Sequence, residues 1–403
     1  MTATTRVVDR IPVIDVDTHI AEPPDLWTAR VAKKWGSRVP HVVADPNGPR
    51  ADGKTNDVWV FGDARAIPTA AISHTGTPYR YPLHPATLEE GHPGAYAVDA
   101  RVRYMDSVGI QAQVLYPNTA GFGSGGFLAL EEPELMRACV RAYNDFQLEW
   151  VSAAPGRFIP IAALPFWEVP AAVAEIDRCA ALGHKGVLFS GEPHTYGEPP
   201  LEDAHWDPIW HAAQDAGLSI NFHIASGARR DVGLVPETGW VPDNGIHTNV
   251  ALAAVLAALD NARAIGHTIM GGLCHRFPRL SFVSVESGVG WIPTYLAALD
   301  WQWQNLGGAD EHPERDLLPS EYFRRQVYGT FWYETDTALR GLEHYPNNFM
   351  FETDFPHPTS LTAGPASAAP EAGDWIEEQL SGWPEELLQH ALHDNAARLY
   401  KLD

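Results

Sequence analysis

The residues best able to do chemistry stand in four short strings. Val13–Ile20 (VIDVDTHI) ends in Asp17-Thr18-His19. A second string reads Asn221-Phe222-His223, a third begins Glu286-Ser287, and the fourth runs Glu352-Thr353-Asp354-Phe355-Pro356-His357-Pro358. Asp17 and His19 are two apart, so on a strand they share a face, about 7 Å from one another along it. Asp15 falls on the same face and deeper, the place of a residue that supports ligands rather than one that ligates. Neutral imidazoles with carboxylate oxygens suit Zn, Mn or Fe and need no thiolate, so Asp17, His19, His223 and Asp354 form a candidate divalent-metal set. Taken singly, a buried Asp at a strand end caps the next helix and a lone His is an ordinary core residue. The metal reading therefore depends on a fold that makes the four converge.

Strand-like and helix-like stretches alternate almost throughout. Strands are expected at 13–20, 111–117, 158–164, 185–190, 218–225, 280–286, 327–333 and 348–353. Helices are expected at 99–109, 132–154, 169–182, 207–216, 249–269, 291–304, 336–343 and 384–402. Eight such units imply an α/β fold of the (β/α)8 TIM-barrel type spanning residues 1–403 as one domain. A doubly wound sheet would want a Gly-rich phosphate loop after its first strand, and Glu22-Pro23-Pro24 stands there instead. Residues 40–94, rich in Pro, Gly and Asp, read as an irregular lid inserted after the first strand; they include His74, Tyr79, Tyr81, His84 and His92. In such a barrel, chemistry gathers at the C-terminal ends of the strands, where all four strings lie.

Composition narrows the partners. The 403 residues carry 51 Asp and Glu against 28 Lys and Arg, a net charge of −23 that repels phosphate backbones, so no nucleic-acid partner is expected. Three unpaired cysteines (Cys139, Cys179, Cys274) fit a reducing compartment. Met1–Arg10 is polar and no apolar run reaches about 18 residues, so neither signal peptide nor membrane span is expected and a cytoplasmic location follows. A small-molecule substrate is the expected partner, with a homodimer left open.

The strings IDVDTHIAEP, NFHIASG, RFPRLSFVSVESGVGWIP and FETDFPHPTS resemble the amidohydrolase superfamily. More narrowly they resemble its amidohydrolase-2 branch, which includes aminocarboxymuconate-semialdehyde decarboxylase-like and resorcylate decarboxylase-like proteins. The resemblance runs from Val13 to about Leu402 and is weakest in the lid. It implies one or two divalent ions, with Asp17 in place of the branch's usual first His or Glu, and His19, His223 and Asp354 matching the other ligands. Glu286 departs from the branch, whose decarboxylases carry a catalytic His at that strand end. A carboxylate there could accept a proton from metal-bound water or hold a second ion. On that ground the first expectation is a metal-dependent hydrolase of an ester, thioester or amide, with Glu286 and Asp354 catalytic. A non-oxidative decarboxylase of an aromatic or unsaturated acid is the alternative, and an inactive ligand-binding barrel a second one.

The remaining polar residues carry smaller expectations. His357, Tyr116, Asn118 and Trp291 are candidate substrate contacts, His357 equally able to orient Asp354. Trp27, Phe122, Trp167 and Trp240 could wall an apolar pocket, though core packing is the default for each. His194, His205 and His247 read as ordinary loop residues, and Cys274 and His275 as structural.

Overall fold

In the computed structural model, residues 5–62, 67–73, 75–227 and 244–402 are described. Eight strands bond in chain order into one parallel sheet: β1 (Val13–His19), β2 (Ile110–Tyr116), β3 (Phe158–Ala162), β4 (Gly186–Leu188), β5 (Ser219–His223), β6 (Phe282–Val285), β7 (Val327–Phe331) and β8 (Phe349–Phe351). The principal helices between them are α1 (Val98–Val108), α2 (Pro133–Ser152), α3 (Val169–Leu182), α4 (Asp207–Ala216), α5 (Ile246–Met270), α6 (Ile292–Asn305) and α7 (Asp336–His344). This is the expected (β/α)8 barrel.

Local sequence explains the elements. In α2, Leu135, Met136, Cys139, Val140, Tyr143 and Phe146 recur every three or four residues and are buried, the stripe a helix needs to lie on a sheet. Gly109 and Gly217 end α1 and α4 at φ 76° and 67°, a left-handed turn that costs an L side chain energy. Strand residues are buried on both faces, as a parallel sheet covered by helices demands. Ile14, Val16, Val114, Ile161, Val283 and Met350 belong to one cluster that fills the barrel.

The β8–β1 seam closes the barrel by side chains as well as backbone. Thr18 bridges to Phe355, His19 N–H donates to Phe355 O (2.8 Å) and Asp354 N–H to Asp17 O (3.0 Å). Asp15 accepts from Thr353 N–H (2.8 Å), from the Thr353 hydroxyl (2.6 Å) and from Gln113 Nε2 (3.0 Å). This corrects the expectation that Asp15 shares the face of Asp17 and His19. The β1–β2 register slips between Asp15 and Thr18, and a one-residue slip exchanges faces. Ile14 and Val16 pack inside the barrel, whereas Asp15 meets Gln113 and, through it, the buried Arg101 of α1.

Residues 40–94 are more regular than their composition suggests. They hold a three-stranded antiparallel sheet, His41–Ala44, Asp57–Val60 and Ile67–Pro68. Trp59 from this sheet meets Trp27 edge-on at 5.0 Å, and Trp27, which donates its indole N–H to Cys139 O, is core rather than pocket wall. His74 lies outside the described residues.

Helix α5 departs from expectation in one respect. By length and composition it is apolar enough to cross a membrane, and less than a quarter of its most apolar stretch is buried. Its second half is an ordinary barrel helix, where Asn261 Nδ2 donates to Phe222 O and Val285 O. Its first half exposes Leu252, Val255, Leu256 and Leu259.

Candidate metal centre

Four of the expected ligands meet at the mouth of the barrel. His19 Nε2 lies 3.4 Å from Asp17 Oδ1, 3.7 Å from Asp354 Oδ1 and 3.3 Å from His223 Nε2. His223 Nε2 lies 3.6 Å from Asp17 Oδ2. All four side chains are fully buried. Glu286 joins them, its Oε2 3.4 Å from His223 Nε2, and Asp17, Glu286 and Asp354 offer oxygens within 4.8 Å of one another.

The backbone is bent to bring them in. Glu286 and Asp354 sit at φ 57° and 60°, a region non-glycine residues rarely adopt and that clusters at functional sites. Glu286 N–H donates to Thr330 Oγ1 (2.9 Å), which fixes the turn after β6. His223 Nδ1 lies 3.0 Å from Ile224 O, so that nitrogen carries the proton and Nε2 presents its lone pair to the cluster.

The donor set fits a divalent ion. The oxygens of Asp17 and Asp354 are all buried, and neither Asp17 oxygen has a hydrogen-bond donor among the described residues, which is costly unless a cation answers them. Burial, then the neighbouring His357 and His223, push the His19 imidazole well below its ordinary pKa, which keeps it neutral and able to ligate. Burial followed by the Glu352, Asp354 and Glu286 carboxylates pushes Asp17 well up, and burial does the same to Asp354. Such crowding of acids is stable around a positive charge and unstable without one.

The other expected residues are placed as follows. His357 stacks on His19 with centroids 3.9 Å apart and brings Nδ1 to 2.7 Å from Asp354 Oδ1. Phe122 stacks on His223 at 4.0 Å, so it does line the site. Tyr116 forms the floor, its ring 6.1 Å from His19 and 5.7 Å from His223 and its hydroxyl donating to Asn221 Oδ1 (3.0 Å). Asn118 is buried beside His357, with 3.3 Å between its Oδ1 and His357 Nε2. Trp291 opens α6, donates its indole N–H to Ser287 O (3.0 Å) and packs edge-on against Tyr295. Trp167 packs on Phe166, and Trp240 lies outside the described residues. His194, His205 and His247 are exposed, and His275 meets Tyr322.

Two buried acids escaped the sequence reading. Glu352, two residues before Asp354, is fully buried, and burial pushes its pKa well up against a hydrogen bond with Thr330; its spacing of two from Asp354 was the available signal. Glu22 accepts from the N–H groups of Asn118 and Thr119 and from the Thr119 hydroxyl, tying down the loop after β2; nothing in its local string marks that role.

Comparison with known proteins places this geometry. The family model described as Amidohydrolase matches residues 14–402. A curated relative, the gamma-resorcylate decarboxylase of Polaromonas sp. (strain JS666 / ATCC BAA-500), is 25% identical over 287 residues, covering 69% of this chain and 80% of its own. An amidohydrolase from Mycobacterium avium subsp. paratuberculosis K-10 superposes with a TM-score of 0.71 at 23% identity, covering 97% of this chain and 99% of its own. A dihydroxybenzoic acid decarboxylase from Polaromonas sp. JS666, solved with bound manganese and the inhibitor 2-nitroresorcinol, superposes at 0.59 with 19% identity and 97% coverage of each chain. These relatives overturn the expectation of a hydrolase. Glu286, on which it rested, can give a proton to carbon when protonated just as its carboxylate can take one from water, so it does not mark hydrolysis. The chain, matched from its first barrel strand almost to its C-terminus, belongs to the amidohydrolase family.

Proposed function

We propose that this protein is a divalent-metal-dependent decarboxylase of an aromatic or unsaturated carboxylic acid. The observation that carries the reading is the buried cage of Asp17, His19, His223 and Asp354, in which neither Asp17 oxygen has a hydrogen-bond donor among the described residues, in a chain whose curated relative is a decarboxylase. Those four residues hold the ion, and the manganese of the structural neighbour supports Mn among Zn, Mn and Fe. When bound, the ion would supply positive charge that favours a carboxylate-bearing substrate. Phe122 and Tyr116 present aromatic surface beside the cage, which excludes water and accepts a flat ring. The bond from ring carbon to carboxylate breaks, carbon dioxide leaves, the electron pair stays on the ring carbon, and protonated Glu286 gives its proton from Oε2 to form the new C–H bond, ending as a carboxylate that solvent reprotonates at its partly exposed edge. Residues 40–94 act as the lid over this site, Trp291 borders the substrate's entry, and the protein works as a homodimer.

The test is release of carbon dioxide. Metal-replete protein, offered a panel of hydroxylated benzoic acids, is expected to release one equivalent per substrate consumed. Chelation should abolish release and Mn2+ restore it. No release from any member of the panel by metal-replete protein would overturn the proposal.

A further inference from the structure

His357 is a poor candidate for binding substrate, because its ring is already committed. One face lies on His19, 18° from parallel. Nδ1 reaches Asp354 Oδ1 at 2.7 Å and Nε2 reaches Asn118 Oδ1 at 3.3 Å. Its backbone N–H returns to Asp354 O (2.9 Å). Two of the four cage residues, from opposite sides of the β8–β1 seam, therefore rest on one imidazole.

That imidazole is held from behind. Asn118 Nδ2 donates to Ser73 Oγ (2.9 Å), and Asn118 N–H donates to Glu22 Oε1 (3.1 Å). Ser73 belongs to the inserted segment and is fully buried. Two residues on, Thr75 N–H donates to Pro356 O (3.1 Å), and the hydroxyls of Thr75 and Ser360 are 2.9 Å apart. The segment thus grips the loop that carries His357 at two places. Gly364 closes the contact: a Cβ there would stand 2.8 Å from Gly76 Cα, so the two backbones touch.

We infer that His357 is a positioning residue for the ligands His19 and Asp354, and that Asn118, seated by Ser73 of the inserted segment, positions His357. The inference rests on the metal-dependent reading above and adds that the segment over the barrel helps to shape the metal cage. Groups that orient ligands from behind are worth about 10- to 100-fold in metal affinity.

Co2+ alone is the probe, added to full-length metal-free protein. Affinity is read by competition with a chromogenic chelator, and geometry by the visible ligand-field spectrum. His357→Phe keeps the ring and loses both nitrogen contacts; it is expected to weaken binding about 10- to 100-fold and to shift the spectrum. His357→Asn, which keeps a donor towards Asp354, should recover part of the loss. Asn118→Ala and Ser73→Ala should produce the same spectral shift in smaller measure, and they decide the matter if His357→Phe does not fold. Wild-type affinity and spectrum in His357→Phe and Asn118→Ala would overturn the inference, above all if turnover falls while both stay fixed. Failure of the wild-type protein to bind Co2+ is a separate result and would overturn the metal-dependent reading itself.

Discussion

Glu286 is where a single side chain separates the chemical roles open to this site. It contacts His223 Nε2 at 3.4 Å and keeps some solvent exposure, whereas Asp17 and Asp354 are sealed. That difference suits a group that exchanges protons with substrate better than a ligand. Glu286→Gln is expected to lower kcat about 10²- to 10⁴-fold, the usual worth of a positioned acid, and to leave metal content unchanged. Turnover and metal analysis on the same sample check this, and loss of metal in parallel with turnover would make Glu286 a ligand. The four cage residues were legible because each falls at or just beyond the C-terminal end of a strand, and strand ends in a barrel share one mouth. Asp15 was misread because alternation counts residues, whereas the register slip after Asp15 moves the face without changing the string. Glu22 was illegible for a different reason: its partners, Asn118 and Thr119, are more than 90 residues away.

At the scale of elements, the barrel depends on its seam. Asp15 alone satisfies the Thr353 amide, the Thr353 hydroxyl and Gln113 Nε2. Burial raises its pKa to about 6, against the hydrogen bonds that favour the charged form. Asp15→Ala leaves those three buried donors unmatched and is expected to cost about 3 kcal/mol of stability, measured by denaturant unfolding. A loss below about 1 kcal/mol would mean that backbone pairing closes the seam unaided. The order of strands and helices could be read from hydrophobic period alone. Their ends could not: β4 and β8 are three residues long where six were expected, and after β8 the chain turns at Asp354 to build the site. The sheet within residues 40–94 was hidden by its short strands, whose partners are set by turns rather than by a buried face.

Over the whole molecule, acidity acts in two ways. One is on stability. His184, between α3 and β4, is buried, and burial pushes its pKa down to about 4. The unfolded chain takes up this proton below about pH 6.5 while the folded chain refuses it until about 4, so stability falls as pH drops through that window. The loss at pH 5 should be about 2 kcal/mol and should vanish in His184→Gln, as unfolding at pH 7 and pH 5 would report. The other is on encounters between copies. Two chains of net charge −23 repel one another, yet each carries the uncharged, greasy first half of α5 on its outside. Salt shortens the reach of the repulsion and leaves the attraction between oily surfaces intact. Whatever self-association that helix supports therefore tightens as ionic strength rises, the opposite of what charge-paired subunits do, and the buffer becomes part of the quaternary structure.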